Sequence, residues 1–143
     1  MSNNMFVIDV MSRVPVYEQV INQVEEKVLK KLLLPGAKMP SVRGLSMELA
    51  INPNTIQKAY TELERRGVII TVPGKGAFIA EDGVEKARVL ATDKLSDFKE
   101  TVAGLLLAGV SRKDTTNIVN DRFKNHINNE KQEVGVLLER LEL

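Results

Sequence analysis

Between Asn52 and Gly67 the chain encodes both ends of a helix. Asn52 or Asn54 can cap its start by accepting a hydrogen bond from an otherwise unpaired backbone amide, and Pro53 brings a φ already suited to the first turn. Gly67 can close it in the left-handed conformation. Within those limits Ile56, Ala59, Tyr60 and Leu63 recur at helical spacing on one face. Asn54, Thr55, Gln57 and Lys58 are left free near the N-terminal end. Such a helix must bury one stripe and present a polar first turn, and these polar types suit base edges and phosphate oxygens.

The preceding residues supply a partner for it. Phe6-Val7-Ile8 reads as a short strand, and Pro15 opens a helix whose apolar positions Tyr17, Val20, Ile21, Val24, Val28 and Leu32 keep a 3.6-residue period up to a stop at Pro35-Gly36. A second, shorter helix begins at a Ser41 cap and runs through Leu45 and Leu49. The turn at Ile51-Asn52-Pro53 then joins it to the helix described above, giving a helix-turn-helix.

After Gly67 the pattern changes to β-branched residues, Val68-Ile69-Ile70-Thr71-Val72, followed by Pro73-Gly74-Lys75-Gly76 and Ala77-Phe78-Ile79. This is a β-hairpin with a basic tip, whose glycines let the backbone turn tightly and approach a phosphate or groove without an intervening Cβ. The expected fold is mostly α with a small β-hairpin. A winged helix-turn-helix over residues 1–81 precedes a two-helix C-terminal region over residues 82–143.

The run Pro35-Gly36-Ala37-Lys38-Met39-Pro40-Ser41-Val42-Arg43, then Asn52-Pro53-Asn54-Thr55, Lys58-Ala59-Tyr60 and Gly74-Lys75-Gly76-Ala77-Phe78-Ile79, resembles the GntR family of bacterial transcription regulators in order and register. The resemblance covers the first half of the chain. The Asn-Pro-Asn-Thr turn and the short tail are similar to its YtrA subfamily, whose members commonly control operons for ABC transporters or envelope stress. One departure is Leu45-Ser46, where the family usually carries a Leu-Ala pair.

The resemblance implies that Arg43, Asn54, Thr55, Gln57, Lys58 and Tyr60 approach an operator. By their chemistry Arg43 and Gln57 can make paired hydrogen bonds to base edges, while Ser41, Thr55, Lys58 and Tyr60 suit phosphate oxygens. Lys75, beside Gly76 at the wing tip, is expected in or beside a minor groove. Polar residues in a first turn also serve as caps or solvated surface, and position 60 also fits a core.

The tail carries Leu90, Leu95, Phe98, Val102, Leu105 and Leu106 in a stripe suited to a helix ending at Gly109. Ser111 with Asp114 resembles a capping box, and Ile118, Val119, Phe123, Ile127, Val134, Leu137, Leu138 and Leu141 continue an apolar face, with a bend expected at Asn128-Asn129. Two helices cannot bury such stripes alone. The expectation is a homodimer through these C-terminal helices, which also suits an inverted repeat of half-sites. About 60 residues leave no room for a large effector domain, so any small-molecule effector is unknown. A signal would act by changing the angle between two DNA-binding domains, hinged near Asp82-Gly83.

Charge places nucleic-acid affinity in the first half. Residues 1–80 hold ten Lys and Arg against seven Asp and Glu, and residues 81–143 hold ten against twelve, within a net charge of +1. With no cysteine, disulfides, thiolate zinc sites and thiol nucleophiles are excluded. His126 is the only histidine, so a metal site with Asp121 or Glu130 has poor chemistry, and no nucleophile-base pair suggests an enzyme. No cofactor, membrane span or leader is expected, which makes the cytoplasm the default location. Motifs and charge together point to a sequence-specific DNA-binding transcription regulator acting as a homodimer, and the subfamily resemblance implies a repressor with a transporter operon as a target. The reading from another class is a winged-helix module that binds protein without sequence-specific DNA recognition.

Overall fold

The computed structural model describes the backbone of residues 5–141. The side chains of residues 133, 134, 136–138, 140 and 141 lie outside the description, and with them the expected apolar positions Val134, Leu137, Leu138 and Leu141. Helices α1 (Val16–Leu29), α2 (Val42–Leu49) and α3 (Pro53–Arg65) lead into strands β1 (Ile69–Val72) and β2 (Gly76–Ile79), followed by α4 (Gly83–Leu107) and α5 (Arg112–Leu141). The mostly helical winged architecture is borne out. The chain divides into one compact unit up to Asp93 and a second from Lys94, a boundary that falls inside α4.

The first unit is organised by one apolar core. Val20, Ile21, Val24 and Val28 of α1 meet Leu45 of α2, Ile56, Ala59, Tyr60 and Leu63 of α3, and Ile69 and Ile79 of the hairpin. Each fully buried aliphatic side chain here contributes on the order of 1.5–3 kcal/mol relative to exposure. Ala87 in the early turns of α4 also enters the core, with Val84 and Leu90 packed against it. Gly83 is therefore the packed start of α4 rather than part of a free linker, with Asp82 exposed in the turn before it: a Cβ at Gly83 would stand 3.1 Å from both Ile79 Cγ2 and the Val68 carbonyl oxygen.

Two expectations about the first 35 residues are corrected. Phe6-Val7-Ile8 is not a strand and has no partner strand among the described residues. Phe6 is buried in the core, and the Gln23 side chain takes the partner's role: its Oε1 accepts from Val7 N at 2.9 Å and its Nε2 donates to Val7 O at 2.6 Å. Gln19 does the same at Asp9, with distances of 2.9 and 2.8 Å. Helix α1 ends before Pro35-Gly36, because Lys31 adopts a left-handed φ of 58°. That reversal leaves Leu32 67% exposed and sends Leu33 into the core instead.

In the second unit Ser111 caps α5, its Oγ accepting from Asp114 N at 3.1 Å, but the Asp114 carboxylate accepts from the same hydroxyl at 2.7 Å rather than from the Ser111 amide that a full capping box engages, as its shorter side chain allows. Gly109, with φ 79°, stands between the helices. Helix α5 runs through Asn128-Asn129 without the interruption that pair could have caused. Asparagine is a poor helix former by only a fraction of a kcal/mol, too little to break a long helix. No described helix is long and apolar enough to cross a membrane.

Candidate nucleic-acid interface

The turn between α2 and α3 is fixed by local hydrogen bonds. Ser41 caps α2 by accepting from Gly44 N at 2.9 Å, and Asn52, rather than Asn54, caps α3 by accepting from Asn54 N at 2.9 Å. Ala50 ends α2 in the left-handed region at φ 53°. The buried Ser46 hydroxyl donates to the Ile51 carbonyl, so the serine that stands in place of the family's usual alanine staples the turn.

This leaves Asn54, Gln57 and Lys58 exposed on the N-terminal half of α3 and Thr55 half-buried, with Arg43 exposed on α2. Gln57 Nε2 donates to Thr61 Oγ1 at 3.2 Å. Lys58 Nζ lies 3.8 Å from the centroid of the Tyr17 ring. An open groove of about 570 Å³ runs between α1 and α3, lined by residues that include Tyr17, Asn54, Gln57 and Lys58.

Tyr60 departs from the expected contact set. It is 5% exposed, and its hydroxyl donates to the Pro40 carbonyl at 2.7 Å, which ties α3 to the segment entering α2. Burial pushes its pKa upward. Its position on the apolar stripe, between Ala59 and Leu63, explains the inward orientation.

At the C-terminal end of α3, Glu62 receives Arg65 through two hydrogen bonds of 2.9 and 2.6 Å and Arg66 at 2.9 Å. These donors, Arg65 foremost, hold its pKa down to about 2. Arg66 also reaches Glu25 of α1 at 2.7 Å; the Glu25 side chain is 7% exposed and that of Arg66 27%. Arg66 thus ties the end of α3 to α1, while Arg65 stays largely exposed in a pair within α3.

The wing is an antiparallel pair in which Ile69 faces Ile79 and Val72 faces Gly76. Lys75 N donates to Val72 O at 3.0 Å, with Pro73 second and Gly74 at φ 75° third, the pattern of a type II turn. Gly76 has φ 115°, and Lys75 is exposed at the tip.

The sequence reading missed Lys38. Gly36 N to Ile79 O at 2.8 Å, Ile79 N to Ala37 O at 2.9 Å and Met39 N to Ala77 O at 2.8 Å lay residues 36–39 along β2, with Lys38 opposite Phe78. The sequence held only a short-range hint, since Ala37-Lys38-Met39 alternates apolar and charged residues as an edge strand does without saying which strand it pairs with.

His126 pairs with Glu130 at 3.1 Å on the exposed surface of α5, and no cluster of three metal-ligating side chains occurs among the described residues.

Residues 16–79 match the bacterial regulatory proteins of the gntR family. The chain is 43% identical over 103 residues to the HTH-type transcriptional repressor YtrA of Bacillus subtilis, covering 72% of this chain and 77% of that one. A crystal structure from Listeria monocytogenes EGD-e, described as a transcriptional antiterminator, superposes with a TM-score of 0.70 at 40% identity, covering 84% of this chain and 90% of the other. YtrA from Sulfolobus acidocaldarius, a GntR-family transcription factor, gives a TM-score of 0.51 at 33% identity, over 64% of this chain and 98% of that one. With helix-turn-helix, wing and motif order in agreement, this chain belongs to the GntR family of bacterial regulatory proteins, as a DNA-binding transcriptional regulator.

Proposed function

We propose that the protein is a repressor that binds an inverted-repeat operator as a homodimer. The observation that carries this reading is the exposed polar half of α3, where Asn54, Gln57 and Lys58 stand clear of a core that holds the opposite face of the same helix. Such a helix suits a major groove, with Arg43 and Gln57 on base edges, Ser41, Asn54, Thr55 and Lys58 close to the backbone or bases, and Lys75 and Gly76 beside the minor groove. The described residues of 1–81 supply these reading groups, and 82–143 is the proposed dimerisation region.

The dimer is supported by apolar side chains the single chain leaves in water, among them Leu95, Phe98, Leu106, Leu107, Ile118, Phe123 and Ile127. A repressive role follows the similarity to a named repressor. A transporter operon as target, and action in the cytoplasm, follow the subfamily resemblance. Selection of bound duplexes from a random pool, with the solution mass measured by sedimentation, tests the proposal. A palindromic consensus bound by a dimer is expected. A monomer without preference among duplexes overturns it.

A further inference from the structure

Beside the wing lies a second cation without a carboxylate partner among the described residues. Lys38 lies opposite Phe78 in the strand pairing, so its side chain shares a face with Phe78 and, two residues earlier on the same strand, with the Cα of Gly76. Its stem crosses that glycine: a Cβ built at Gly76 would stand 3.3 Å from Lys38 Cε. The ammonium is thereby carried along the hairpin toward the tip, where Lys75 follows the turn. Both lysines are exposed, and among the described residues neither forms an ion pair. By contrast Lys30, Arg65, Arg66, Lys86 and Arg88 are each matched to a carboxylate. The glycine beneath the Lys38 stem, next in sequence to Lys75, removes the side chain that would hold a phosphate away.

We propose that Lys38 is a second phosphate-binding residue of the wing, gripping the DNA backbone near the minor groove beside which Lys75 is placed, with Gly76 serving as the bed for its stem. The inference rests on the proposed DNA-binding mode. It assigns Lys38 to affinity and register, not to base choice, because a lysine on a phosphate is a point charge that carries no sequence information.

The test is a salt titration of full-length protein on the selected operator and on a mixed-sequence duplex a few turns long. It compares the parent with Lys38→Met, which keeps the stem and removes the charge, and with Lys38→Arg. Lys30→Met, whose ammonium pairs with Glu26 at 2.7 Å, controls for net charge. Losing one phosphate contact lowers the slope of log affinity against log salt by about 0.9, equivalent to about an eightfold loss at 0.1 M salt. The expectation is this loss for Lys38→Met on both duplexes alike, restored by Lys38→Arg and absent in Lys30→Met. An unchanged slope in Lys38→Met, or an equal loss in Lys30→Met, overturns the assignment while leaving the DNA-binding mode intact. A parent protein without salt-dependent binding to either duplex overturns the mode itself.

Discussion

Lys58 of α3 rests its ammonium 3.8 Å above the ring of Tyr17 in α1, so an exposed cation of the recognition helix is held by the helix behind it. The contact straddles the groove between the two helices and holds that charge over the ring. Cation–π contacts at exposed sites contribute about 0.5–1 kcal/mol. A double-mutant cycle of Tyr17→Leu with Lys58→Met in urea unfolding is expected to give a coupling energy of that size. Tyr17→Phe, which keeps the ring and loses only the hydroxyl contact to Glu18, is expected to retain it. No coupling between positions 17 and 58 refutes the contact.

The Arg66–Glu25 pair joins the end of α3 to α1 where little water reaches the carboxylate. Arg66→Met leaves that carboxylate buried without its partner, whereas Glu25→Gln keeps an acceptor. We expect Arg66→Met to cost about 2–3 kcal/mol, less than for a fully enclosed pair because the guanidinium is partly hydrated, and Glu25→Gln to cost distinctly less. Denaturant midpoints at constant m-value measure both.

Glu62 gives the protein an acid-sensitive joint. Its folded pKa is held down to about 2 against an ordinary 4.5, so its ionised form favours the folded state fully above 4.5. That contribution is lost as pH falls from about 4.5 through 2. Glu62→Gln is expected to flatten this limb of the stability curve, measured by urea unfolding between pH 5 and pH 2. An unaltered acid limb in the variant would show that other carboxylates account for it.

On the selected operator, Gln57→Ala and Arg43→Ala are expected to erode discrimination at particular base pairs by about 1–3 kcal/mol each. Lys75→Ala is expected instead to weaken every duplex to a similar degree. Binding measured against a panel of single-base operator variants separates the two patterns. Uniform losses from all three would contradict the division between base-reading and backbone-holding residues.

What was legible in the sequence is what short-range chemistry decides. The Asn52 cap, the Gly67 reversal at φ 78°, the Ser41 cap and the Pro73-Gly74 turn each depend on residues a few positions apart. What was not legible depends on distant partners. Nothing within Phe6-Val7-Ile8 says that two glutamine side chains would replace a strand, and nothing in Lys38 alone says that β2 would lie beside it. Tyr60 was ambiguous for a related reason: position 60 borders both the stripe and the polar flank, and only the Pro40 carbonyl, twenty residues earlier, decides between them. Leu32 failed because one left-handed lysine broke the period that seemed to continue through it.

Gln19 and Gln23 each present a donor and an acceptor to the same stretch of main chain, as a neighbouring strand would. Glutamate has the same length and nearly the same shape, but at neutral pH it can only accept. Glutamate at either place would therefore keep the bond from the main-chain N–H but lose the one to the carbonyl, setting a carboxylate oxygen against that carbonyl instead, while the buried anchor Phe6 stays chemically untouched. A change that an alignment would score as gentle removes, at these two places, half of a clasp.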